Sequence, residues 1–326
     1  MDFLRADALP WLADPIASIR RAAAAGRLPH SLLILAAPGL GSAEFAAWAS
    51  AFALCERGPA RPCGECTACA LLRADAHPDF HVVRIEEDAR QIKVERVREL
   101  IEALAQKSYR GGYKVGLIEG AEALNASGAN AFLKTLEEPT AETMLVLTAA
   151  RSHRLPPTVA SRCLKLALRA PERNSALAWL TRQGAGDDGW DTALALAGGA
   201  PLRALELRRG GIAELDADMR ASLAKLAAGA VDLTVLAERW VQNDPLSRAA
   251  WLENWVTTRI LAVLGGTGES QTAEPVRLPA AARGAKIASL YALLDALREF
   301  KRLAATGVNQ QLAIEALLLG FRSLSS

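Results

Sequence analysis

Apolar residues in the first half of the chain follow two alternating patterns. Short runs of Val, Ile and Leu, bounded by turn or polar residues, predict strands at Leu32–Ala36, Phe80–Ile85, Lys114–Ile118, Met144–Thr148 and Leu164–Leu168. Between them, Ile92, Val94, Val97, Leu100, Ile101 and Leu104 recur with a period near 3.6, which predicts a helix over Ile92–Ser108. A second helix is predicted from Ala126 to Glu138, where Pro139 disfavours helical backbone in the residue before it. Strands alternating with helices require a parallel sheet covered by helices. After Pro171 the strand pattern vanishes and amphipathic helices punctuated by glycine take over, with turns at Gly184–Gly189 and Gly198–Pro201. Longer helices beyond Gly210–Gly211 carry Trp240, Trp251 and Trp255, and the stretch Gly265–Pro279 reads as a flexible connection. The expected division is an α/β domain over residues 1–169, a small helical domain over 170–209 and an all-α domain over 210–326. The apolar stripes of the last helices are expected to pack within that domain by default.

Composition narrows the class. The chain has 326 residues, 51% of them hydrophobic and 23% charged, which describes a globular protein with room for roughly two or three cores. A net charge of +2 excludes a broadly basic nucleic-acid surface, so any DNA contact has to be local. The first residues lack a charged-then-apolar leader pattern, and the longer apolar runs are broken by charges, glycine or proline. A cytoplasmic protein with no membrane span is therefore expected. Five cysteines, four of them bunched, do not form a secreted disulfide framework.

Those four are Cys55, Cys63, Cys66 and Cys69, in the pattern C-x7-C-x2-C-x2-C. Four thiolates this close can close a tetrahedral shell around zinc, with glycines and prolines between them to let the chain reverse. Buried or transiently oxidised thiols are the alternative. A full shell leaves no position for water, so the expected zinc is structural. Nearby His77 and His81 are then ordinary histidines, and Cys163 stands apart.

The segment LLILAAPGLGSAEF, residues 32 to 45, has the outline of a phosphate-binding loop without its chemistry. The form G-x-x-x-x-G-K-[ST] uses lysine for the β and γ phosphates and a hydroxyl for magnesium. Gly39 and Gly41 keep the bend, but Ala36 replaces the first glycine, Ser42 the lysine and Ala43 the hydroxyl. The first lysine in the chain is Lys93, so no close neighbour substitutes. A second acidic motif would need an aspartate for magnesium and a glutamate to activate water; the chain offers Glu119 followed by Gly120. Glu119 is equally readable as a charged residue ending a strand. Arg162, in Ser161-Arg162-Cys163, is either a surface arginine in an ion pair or a permanent cation offered to a phosphate.

Taken together and in order, HSLLILAAPGLG, the cysteine cluster, HPDF, NAFLKTLEEP and SRC resemble the bacterial clamp-loader subunits of DNA polymerase III, and among them the delta-prime family. The likeness is clear from about Leu28 to Arg169 and weaker beyond. It implies an AAA+ α/β domain with a zinc module, a small helical lid and a C-terminal helical collar that joins a five-subunit ring. It implies no bound ATP and no intrinsic ATPase activity, since the gamma and tau relatives keep the lysine and acidic pair that this chain lacks. Arg162 matches the family's arginine that serves a neighbouring subunit's ATP. The implied partners are gamma/tau and delta, with the sliding clamp and primed DNA met through the complex. Lys134 and Glu138 can meet a neighbour or DNA phosphate, or form a solvated helix face. Two rivals remain at this stage: an active gamma/tau-like ATPase, and a zinc-dependent DNA-binding module acting alone.

Overall fold

The computed structural model describes residues 2–58, 61–86, 89, 91–150, 155–184, 189–264, 280–304 and 309–325. The expected connection at Gly265–Pro279, and most of the turn at Gly184–Gly189, lie outside the described residues. The chain divides into two compact units, Met1–Trp179 with Ala200–Arg203, and Leu180–Gly199 with Ala204–Ser326.

The first unit opens with two 3-10 turns (Phe3–Ala8, Pro10–Leu12) and α1 (Ala13–Ala24). There follow β1 (Ser31–Leu35), α2 (Ser42–Leu54), α3 (Thr67–Arg73), β2 (Phe80–Val83), α4 (Val94–Ala105) and β3 (Lys114–Ile118). After a 3-10 turn at Ala121–Ala123 come α5 (Ala126–Glu137), β4 (Thr143–Ala149), α6 (Pro157–Ala160), β5 (Leu164–Ala167) and most of α7 (Arg173–Thr181). The five strands form one parallel sheet in the order β2-β3-β4-β1-β5, with β1 running from Ser31 opposite Leu145 to Leu35 opposite Ala149. A parallel strand covered on both faces reads as a near-continuous apolar run, and all seven residues of β4 are buried, five of them apolar. Among the described residues β5 pairs with β1 alone, and its Leu164 is exposed. Helix α2 is apolar on every side because it lies between β3 and β4 and the first 3-10 turn; Phe45 to Leu54 are all buried. α4 and α5 add Val97, Leu100, Leu104, Phe132 and Leu136 to a core shared with Leu33, Leu145 and Leu147.

Two elements are shorter than their apolar pattern by two residues or more. α4 begins at Val94 because Ile92 is drawn into a bridge with Leu124, and it ends at Ala105 because Ser108 bonds to Asp79 instead. β2 stops at Val83, where its pairing with β3 runs out at Ile118, and leaves Ile85 exposed.

The second unit is helical: α8 (Trp190–Leu196), most of α9 (Pro201–Arg209), α10 (Ile212–Ala227), α11 (Leu233–Gln242), α12 (Pro245–Val263), α13 (Ala280–Leu303) and α14 (Gln310–Ser325). Trp240, Trp251, Leu252, Leu293, Leu297 and Leu318 meet in its core. Asp232 caps α11 by accepting from the amides of Thr234 at 2.8 Å and Val235 at 3.3 Å, which satisfies two of the helix's unpaired donors. Among the described residues no helix is long and apolar enough to cross a membrane.

Candidate functional site

The glycine loop leaves β1 and enters α2 as a phosphate-binding loop does, but the chain packs against it. Gly39 and Gly41 have φ of 83° and 89°, in the left-handed region that glycine adopts without strain. The Gly39 carbonyl accepts from the Leu202 amide at 3.1 Å, and the Leu40 carbonyl accepts from the Trp11 indole at 2.9 Å. A Cβ on Gly39 would lie 2.4 Å from the Cβ of Arg203, and one on Gly41 would lie 3.1 Å from Leu9 and 3.3 Å from Leu12. The glycines are therefore required by close packing within this unit, whatever else the loop does. Trp11 is further held by an edge contact with Trp179, centroids 5.1 Å apart.

The acidic motif is equally committed. Glu119 pairs with Arg84 at 3.6 Å, and the Gly120 amide donates to the Thr148 hydroxyl at 3.0 Å. Arg162 follows α6 with its side chain about one-third exposed. Its Nε donates to Glu137 Oε1 at 2.6 Å and a terminal nitrogen donates to the Thr158 carbonyl at 2.9 Å; its other terminal nitrogen also contacts Glu137. Cys163, beside it, is a core residue whose thiol burial pushes up to about 11. Lys134 and Glu138 are exposed on and just after α5.

The four clustered cysteines converge. Their sulfurs lie within 4.8 Å of one another, with Cys55 to Cys66 at 3.9 Å and Cys63 to Cys69 at 4.0 Å. A tetrahedral shell with metal–sulfur bonds of about 2.3 Å places sulfurs about 3.8 Å apart, so the set fits such an ion. Backbone amides converge on the same atoms: Glu65 and Cys66 donate to Cys63 Sγ at 3.5 and 3.3 Å, and Cys63 donates to Cys55 Sγ at 3.4 Å. The Glu65 amide, with help from Cys66, pulls Cys63 down to about 6 against the effect of burial. Burial pushes Cys55 and Cys69 up. A divalent cation reverses that balance by stabilising all four thiolates.

Similarity to known proteins follows the same outline. Residues 12–172 match the family model described as "DNA polymerase III, delta subunit". DNA polymerase III subunit delta' of Pseudomonas aeruginosa is 35% identical over 303 residues, covering 90% of this chain and 92% of that one. The chain belongs to the DNA polymerase III delta-prime family. The delta' subunit of Escherichia coli K12 is 31% identical over 314 residues, covering 95% and 94%. A tau subunit, from Salmonella typhimurium, is 36% identical over only 44% of this chain and 22% of its own length. The two delta-prime subunits named here match nearly end to end where the tau subunit matches part, and the gamma/tau alternative is not favoured.

Within this delta-prime chain, the motif HPDF acquires a role that sequence reasoning missed. Asp79 is 2% exposed, and its carboxylate accepts from the Ser108 hydroxyl at 3.1 Å and the amides of Tyr109 at 2.7 Å and Arg110 at 3.0 Å. Its own amide donates to His77 Nδ1 at 3.1 Å. Arg110 then reaches Glu56, next to Cys55, at 2.9 Å. The motif anchors the turn before β3, and that turn braces the cysteine loop. An aspartate directly before an apolar strand was the available signal, but nothing local names its partners.

Proposed function

We propose that this chain is a non-hydrolytic component of the clamp loader, the ATP-driven assembly that opens the sliding clamp and places it on primed DNA. The observation that carries this reading is the glycine loop: it has no lysine, and Leu9, Trp11, Leu202 and Arg203 pack around it. In this reading the catalytic machinery belongs to gamma/tau neighbours, and the chain contributes Arg162 to the ATP of one of them. Paired with Glu137, the guanidinium carries little net field, so engaging a neighbour's phosphate requires it to leave or share that carboxylate. The cysteine cluster holds a structural zinc, which supplies ~10–16 kcal/mol of local folding free energy in comparable sites. A lid over residues 170–209 and a collar over 210–326, joined with delta and gamma/tau, complete the proposal.

The test uses the chain reconstituted with gamma/tau and delta. Arg162→Ala should leave the complex intact by size-exclusion chromatography while DNA-stimulated ATP turnover falls about 10³-fold or more at the site it serves. Unchanged turnover removes the arginine role. Equilibrium binding of labelled MgATP to the purified chain tests the non-hydrolytic assignment separately, and tight magnesium-dependent binding overturns it.

A further inference from the structure

Arg162 is held by two kinds of partner. Its Nη1 donates to the Thr158 carbonyl at 2.9 Å and meets the Ser161 hydroxyl at 3.4 Å. Both belong to α6 or its C-terminal cap, so those bonds travel with the arginine. Glu137 is different, because it is the last residue of α5. Its Oε1 accepts from Nε at 2.6 Å and also meets Nη2. One carboxylate oxygen thus occupies the Nε–Nη2 edge of the guanidinium, an edge suited to a two-pronged grip on phosphate. Glu137 had a cation nearer in sequence: Lys134 stands three residues earlier on α5, at a spacing that allows an ion pair. The carboxylate is turned to Arg162 instead. With side chains 34% and 49% exposed, the pair is open to a neighbour and weak enough to exchange.

We propose that Glu137 is a positioning residue that withholds Arg162: it keeps the guanidinium paired within the chain until the transferring phosphoryl group of a neighbour's ATP draws it across. The inference rests on the arginine role proposed above and deepens it by naming what restrains that arginine. The local bonds from Thr158 and Ser161 keep the side chain ordered after Glu137 lets go, so release costs the ion pair and little else. Negative charge on the transferring group competes with a single carboxylate for the same fork of donors. A cation that crosses only as the reaction proceeds is missing from the neighbour's ground state. Its restraint therefore slows hydrolysis without weakening ATP binding. Loss of packing between α5 and α6 would do the opposite, lowering turnover or assembly.

Single-turnover ATP hydrolysis by the chain reconstituted with gamma/tau and delta, without DNA, decides this. Glu137→Gln keeps the shape of the side chain and an acceptor oxygen but removes the charge. The hydrolysis rate constant should rise about two- to fivefold, the factor that an exposed ion pair can restrain, while the ATP concentration for half-maximal rate stays the same. Glu137→Asp retains the charge and should fall between parent and Glu137→Gln. On an Arg162→Ala background, Glu137→Gln should change nothing. An unchanged or lowered rate with Glu137→Gln, in complexes that assemble and melt like the parent, overturns the proposal. So does a rise that persists without Arg162. Hydrolysis unaffected by Arg162→Ala itself removes the arginine role and this proposal with it, whereas a normal loss with Arg162→Ala and no gain with Glu137→Gln removes the restraint alone.

Discussion

Replacing Asp79 by alanine should loosen the turn before β3 and, through it, the cysteine loop. The substitution removes the acceptor for two backbone amides and one hydroxyl, at 2.7, 3.0 and 3.1 Å. Ser108 is partly buried and also accepts from the Gly112 amide at 3.1 Å, so the turn from residue 108 to 112 loses its organising centre. Hydrogen bonds to a charged acceptor are worth ~1.5–3 kcal/mol each. Tyr109 and Arg110 are exposed and recover water, so the lower figure applies to their two amides. That gives a loss of about 3 kcal/mol, a large share of the ~5–15 kcal/mol typical of a whole domain. At an urea slope of about 2–3 kcal/mol/M the midpoint drops by ~1 M or more. Urea unfolding followed by tryptophan fluorescence reads the global effect, and hydrogen exchange at the Tyr109 and Arg110 amides reads the local one. Asp79→Asn keeps one acceptor oxygen and should fall between. An alanine variant within ~0.5 kcal/mol of the parent, with both amides still protected, would refute the reasoning.

Chelating the metal, or replacing Cys66 by serine, should abolish zinc in metal analysis and expose residues 55–73 to proteolysis while the sheet persists; retention of about one zinc per chain by the serine variant would count against the four-sulfur shell. Burial, chiefly, holds the His77 imidazole below its ordinary value of 6.5. The unfolded chain therefore takes up that proton first, and the contribution is full above 6.5 and lost as pH falls through it towards the folded value. Stability measured from pH 7.5 to 5 should decline, and His77→Gln should flatten the slope in part, since burial also lowers His81; an unaltered slope would dismiss His77 as a contributor. Gly39→Ala must strain a left-handed residue and displace Arg203, for a loss of about 2–4 kcal/mol, whereas Gly112→Ala meets nothing within 4 Å and should be nearly neutral. Thermal melts showing the two alanines equally benign would disprove the packing role of the loop.

The Asp79 network marks the limit of local reading. Strand and helix positions in the first unit are visible in the chain because apolar period is a property of neighbours: β4 reads as a continuous run, α4 as a 3.6 repeat. The cysteine cluster is visible for the same reason, since Cys63, Cys66 and Cys69 share a short covalent span and Cys55 lies only one small loop away. The missing lysine is a fact of spelling. What packs around the bend left behind is not, because Leu9, Leu202 and Arg203 are brought to Gly39 and Gly41 from opposite directions along the chain.

Two residues show the same division within a single motif. SRC identifies Arg162 as a cation of interest, yet its partner Glu137 belongs to α5 and meets it only when α5 and α6 pack together. Cys163, one residue on, is unexplained by spacing and becomes a core side chain once α6 lies against the sheet face. Local covalent distance and hydrophobic period settle which elements form and which donors can share an ion. Closure of the chain settles which charge meets which, because an ion pair or a buried carboxylate is defined by distance in space, and that depends on every turn between its members.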